Sequence, residues 1–150
     1  MGSMFDRDSS DDALRRIESL SAEMPARWGK MDGAQMCAHC CRPIQVALGD
    51  LTLKRALVGF LLGGLAKRYL VNGPAPFRPN MPTAPEFLVV DPQEFADQKR
   101  ALVSLVRRLS EGGEEGLTRA PHPFFGRLQA DEWDRLMWKH LDHHLRQFGA

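Results

Sequence analysis

From Asp131 to Phe148 the chain reads DEWDRLMWKHLDHHLRQF, and one set of residues in it recurs at three- and four-residue steps: Trp133, Met137, His140, Leu141, His144, Leu145 and Phe148. That period is a helix seen from one side. A helix with a single apolar stripe must bury it against other elements, which points to a helical bundle. The stripe carries two imidazoles, His140 and His144, where leucines would serve for packing alone. His143 falls towards the polar border near Lys139, where contact with solvent is expected.

Two buried histidines each need a polar partner in an apolar place. One turn apart on one face, their ring nitrogens can share a cation. The same spacing also allows each ring to bond to a protein oxygen, so the stripe alone leaves both readings open.

The remaining chain supplies the elements to pack against. At 150 residues it is long enough for one domain with a real core. Met1-Gly2-Ser3 ahead of Met4 reads as a tag remnant, so residues 1–10 are expected to be that remnant and a flexible N-terminus. Residues 11–150 are then the single domain. A first helix is expected from Asp11 to Met24, stopped by Pro25, with Trp28 as a packing anchor beyond it. Asp32 with Gln35 forms a capping-box pattern opening a second helix that ends near Gly49 and carries His39 at its middle. Pro43 lacks the N–H that would bond the carbonyl of His39.

Leu51–Val71 reads as a third helix. Its uncharged run from Ala56 to Ala66 is too short to span a bilayer. It is expected to be buried or to form a dimer face through Gly59 and Gly63, with membrane contact the weaker option. Asn72–Pro92 holds six prolines and forms a long connection. Phe87 to Val90 is expected to lie extended against the bundle, and Arg78 or Asn80 to reach towards a substrate. Asp91, Pro92 and Glu94 open a fourth helix that Gly112-Gly113 closes. His122, between two prolines, is expected to make structural hydrogen bonds.

The net charge of +1 gives no reason to expect nucleic acid or an acidic membrane as a partner. Cys37, Cys40 and Cys41, with no secretory signal at the start, indicate reduced thiols and a cytoplasmic setting. Cys37 and Cys40 have C-x-x-C spacing, but they lie inside a helix rather than on a knuckle turn, so packing between helices is the favoured role. H-E-x-x-H is absent, since Leu141 stands where the glutamate would be. Paired Glu-x-x-His motifs, a P-loop, G-x-G-x-x-G and G-x-S-x-G are also missing.

The segments HPFFGRLQADEWDRLMWKHLDHHLRQFG, QMCAHCCRPIQVALGD and NMPTAPEF resemble the last-helix signature, the second-helix signature and the Pro-rich connector of a branch of the DinB-like superfamily whose function is undefined. The resemblance implies an all-α four-helix bundle with a long Pro-rich crossover and an extra short helix, often a homodimer. It also implies a mononuclear site with one ligand from the second helix and an H-x-x-x-H pair from the last. Those positions are His39, His140 and His144, holding a divalent metal such as zinc, nickel, iron or manganese. The cysteines around His39 and the proline after it are not part of that pattern. Some members of that superfamily are thiol-dependent transferases or isomerases that use a low-molecular-weight thiol. The implied activity is therefore a metal-dependent thiol transferase or hydrolase acting on a low-molecular-weight thiol, or water, and a small electrophile. His143 would stand in the second shell, and Gln147 would orient a ligand. The alternative is a non-catalytic bundle that binds a small molecule or a protein.

Overall fold

The structure is a computed structural model that describes residues 2–150. Met1, part of the expected tag remnant, lies outside the described residues. The described chain contains α-helices α1 (Arg7–Glu18), α2 (Gly33–Leu48), α3 (Leu57–Ala66), α4 (Phe95–Gly112) and α5 (Ala130–Gln147), and no strand. Helix α2 packs on α4 and α5, and α1 packs on the same two, so these four close into a bundle. Helix α3 stands outside it. The core between them includes Ile17, Met36, Ile44, Leu102, Val106, Trp133, Leu141 and Leu145. Burial of such side chains stabilises a bundle by about 1.5–3 kcal/mol each before conformational entropy is counted.

The start of the chain differs from expectation. Met4 is fully buried, and its N–H donates to Asp134 Oδ1 at 2.6 Å. Asp6 caps α1 by accepting from the N–H of Ser9 at 2.9 Å, so the helix begins four residues before Asp11. Its other end is set by Lys99 rather than Pro25. Its ammonium donates to the carbonyls of Glu18 and Leu20 at 2.7 and 2.9 Å, so the helix ends well ahead of the proline.

Helix α2 forms as its caps require. Asp32 accepts from the N–H of Gln35 at 2.8 Å and Gln35 accepts from that of Asp32 at 3.1 Å, while Gly49 takes φ 80° at the other end. The helix runs through Pro43 without a break.

The third segment is not one buried helix. Residues 53–56 have no helical structure, α3 occupies Leu57–Ala66, and a π-helical turn follows over Lys67–Val71. Most of its large side chains face outward. Gly59 and Gly63 are not available as a dimer face, because a methyl at either would run into the carbonyl oxygen of Phe124. The π-helical turn is fastened to α5. Lys139, almost fully buried, donates to the carbonyls of Leu70 and Val71 at 3.0 and 3.3 Å and also to that of Gly73. Glu132 accepts from Lys67 Nζ at 3.1 Å and from Asn72 Nδ2 at 2.9 Å.

The connector is less extended than its sequence suggests. Pro85–Phe87 forms a 3-10 turn, and Leu88 and Val90 face outward with only Val89 buried. Helix α4 starts at Phe95 with Glu94 as a cap that makes no side-chain bond, three residues after Pro92. The carbonyls of Val90 and Asp91 are taken by Gln35 Nε2 at 3.0 and 3.5 Å, which holds this segment to the head of α2 instead of letting it coil. At the entry to α5, Gln129 and Glu132 form a capping box that the sequence reading did not identify.

Candidate metal centre

Helix α2 brings His39, and α5 brings His140 and His144, to one place between them. One nitrogen from each ring lies within 4.8 Å of the other two. His39 and His144 are buried, and His140 is half-buried. The ring centroids stand 4.9 Å apart for His39 and His140, 4.7 Å for His39 and His144, and 4.7 Å for His140 and His144.

Hydrogen bonds behind the rings fix which nitrogen faces the centre. The carbonyl of Phe87 stands 2.7 Å from His39 Nδ1, so Nδ1 must carry the proton and Nε2 is left with a bare lone pair. Gln147 does the same for His144. Its amide nitrogen donates to the carbonyl of Trp28 at 2.6 Å, which turns its oxygen to accept from His144 Nδ1 at 2.7 Å. Outer partners of this kind orient histidine ligands in metal sites and raise their basicity. His39 Nε2 lies 3.0 Å from His140 Nε2, a gap that takes either a shared proton or a cation. Two nitrogens bonded to one ion at ~2.0–2.1 Å and at angles between octahedral and tetrahedral are about 2.9–3.4 Å apart, so the pair fits.

Electrostatics favour the ligating form. Burial lowers the pKa of His39 and His140 and takes that of His144 down to about 3, with the neighbouring imidazoles adding to each shift. All three are therefore neutral near pH 7, as metal ligands must be.

His143 departs from expectation. It is buried, not solvated: Trp28 and Phe77 lie against it at centroid distances of 5.4 and 6.2 Å, and it meets His144 edge-on at 5.0 Å. A wheel drawn for one apolar stripe misses this, because α5 has a second covered flank, where the connector packs over His143 and the π-helical turn covers Lys139. Arg78 and Asn80 are exposed, and it is Phe77 and Phe87 that the connector brings to the histidines. Nothing in the sequence marks the carbonyls of Phe87 and Trp28, since every residue has one.

His122 stays outside the group as a structural residue. Its Nδ1 accepts the N–H groups of Phe124 and Phe125 at 3.0 and 3.1 Å, and its ring packs on Trp133. The three cysteines are free and buried. Burial raises the Cys37 thiol to about 11 and the Cys41 thiol to about 12, and pushes Cys40 well up, so none is an activated nucleophile.

Residues 4–150 match the family model described as a protein of unknown function, DUF1569. The chain belongs to the DUF1569 family. No curated protein and no solved structure matches it. The family description carries no activity, so the chemistry available to this DUF1569 chain is that of its side chains. Three close histidines could hold a metal ion, with its identity left open by the imidazole donors.

Proposed function

We propose that this DUF1569 protein is a DinB-like metal-binding bundle in which His39, His140 and His144 hold one divalent ion and serve a thiol-dependent transfer reaction. The observation that carries the metal assignment is the lone pair on His39 Nε2 facing His140 Nε2 at 3.0 Å, with His39 locked from behind by the carbonyl of Phe87. A divalent ion bound by three neutral imidazoles supplies an open position and the positive charge that lowers the pKa of a thiol or water placed there.

The chain's own residues supply the rest. Phe87 and Gln147 hold the rings of His39 and His144 in the ligating tautomer. Trp28, Phe77 and His143 wall one side and limit water, and burial keeps His143 neutral, as a positioning residue against His144. In the transfer, the thiol gives its proton to water and its sulfur bonds to the electrophilic carbon of a small co-substrate. The leaving group departs with the electrons of the bond it breaks.

A second reading is a metal-binding bundle without catalysis. Two surface clefts favour it, because neither reaches the histidines. One of about 230 Å³ is lined by Val46, Leu51, Arg55 and Pro123. The other, about 280 Å³, is lined by Glu115, Arg127 and Trp133.

Elemental analysis of protein purified without a nickel column tests the metal assignment. Bound metal is expected in the parent protein and is lost in His39→Ala, His140→Ala and His144→Ala. Unchanged metal content in His39→Ala overturns the ligand set. A panel of low-molecular-weight thiols with small electrophiles then separates the two readings. Turnover that depends on metal supports the transferase, and metal-loaded protein that no thiol perturbs supports the non-catalytic bundle.

A further inference from the structure

Helix α3 turns its apolar side chains outward. Leu57 and Leu61 are 83% and 85% exposed, and Phe60, Leu65 and Tyr69 are each more than half exposed. The orientation is fixed, because the inner side of the helix is Gly59 and Gly63 set against the backbone of Phe124. A contiguous exposed apolar surface of this kind marks a docking site.

Charge decides what covers it. Between Asp50 and Glu86 the sequence has no acidic residue, yet it has Lys54, Arg55, Lys67, Arg68 and Arg78, five cations in a chain whose net charge is +1. Lys54 and Arg55 come just before the helix, and Lys67 and Arg68 just after it. Lys67 is engaged by Glu132, and Arg55 lies over the Phe60 ring at 4.0 Å. Lys54, Arg55, Arg68 and Arg78 remain exposed. A second copy docked face to face would bring two such cationic segments together, since a two-fold interface sets the same patch against itself. An anionic surface would complement both the charge and the apolar side chains.

We propose that α3 docks the protein on an anionic phospholipid surface. The helix lies in the plane of the interface, with Leu57, Phe60, Leu61 and Leu65 at the headgroup–acyl boundary and the flanking cations among the phosphates. The helix does not cross: among the described residues no helix is long and apolar enough for that. The small net charge of the whole chain hides this local excess, which is why net charge alone argued against a membrane partner.

Flotation with vesicles tests the proposal. The full chain is mixed with vesicles of phosphatidylcholine containing about a third phosphatidylserine, or of phosphatidylcholine alone. Binding is expected on the anionic vesicles, about tenfold or more weaker on the neutral ones, and weaker again as salt is raised. Leu61→Glu should abolish it, and the doubly reversed Lys54→Glu/Arg68→Glu should reduce it about tenfold or more, with helical circular dichroism retained. The double variant alters only exposed side chains, so it carries the test if Leu61→Glu fails to fold. Three results would overturn the proposal: no binding to anionic vesicles, full binding by the folded double variant, or light scattering that shows a dimer dissolved by Leu61→Glu and unable to bind vesicles.

Discussion

His144 donates through Nδ1 to Gln147 Oε1 at 2.7 Å, one turn along the same helix, and Gln147 passes the restraint on to the carbonyl of Trp28. The imidazole is thus oriented by a side chain with no freedom of its own. Gln147→Leu should weaken metal binding by about 10–100-fold, the usual effect of losing a ligand's outer partner. It should also cost about 1–3 kcal/mol of stability, because the Trp28 carbonyl loses its donor. Chelator competition reads the first effect and urea unfolding the second. Metal affinity equal to that of the parent protein would show that Gln147 does not orient a ligand.

His122 predicts an acid-sensitive fold. Burial lowers its pKa to about 4 in the folded protein, against an ordinary value of 6.5. Between those values the unfolded chain binds the proton more readily than the folded one, so this contribution is lost as pH falls through that window and is restored above it. From about pH 7 to about pH 5 the loss from His122 amounts to about 2 kcal/mol. Urea unfolding of parent and His122→Gln at both pH values measures it: the variant should lose less stability on acidification by about that amount.

The glycines of α3 should respond unequally to alanine. Gly59→Ala and Gly63→Ala push a methyl into the carbonyl of Phe124 and should destabilise by about 1–3 kcal/mol. At Gly64 a Cβ meets nothing within 4 Å, and Gly64→Ala should stabilise by up to about 1 kcal/mol through helix propensity alone. Thermal melts of the three variants give the comparison. Equal effects would contradict the seating of α3 on residues 123–125.

The three thiols should be inert in the folded protein. Burial raises their pKa values and closes access, so an aromatic disulfide reagent near pH 8 should modify them only after denaturant is added. Rapid labelling of the native protein would restore Cys37 or Cys40 as a reactive group.

The parts of the fold that were legible in the sequence rest on local signals. Asp32, Gln35 and Gly49 delimit α2 by caps that need only neighbouring residues, and the three-four period of α5 places His140 and His144 inward. The parts that were not legible depend on contacts distant in sequence. Lys99 ends α1 from across the bundle, and Gln35 delays the start of α4 by binding carbonyls more than fifty residues away. The outward face of α3 is unreadable for a similar reason. A run of leucines reports only that apolar surface exists, and Phe124 decides which side the helix turns in.

The grip of Lys139 and Glu132 on the π-helical turn has a mechanical outcome. Lys139 is the residue immediately before His140, so the backbone that aims one imidazole is also the anchor point for the segment leading out of α3. Lys139→Met should therefore free the π-helical turn and loosen the backbone beside His140 in one step, because both hang on the same residue.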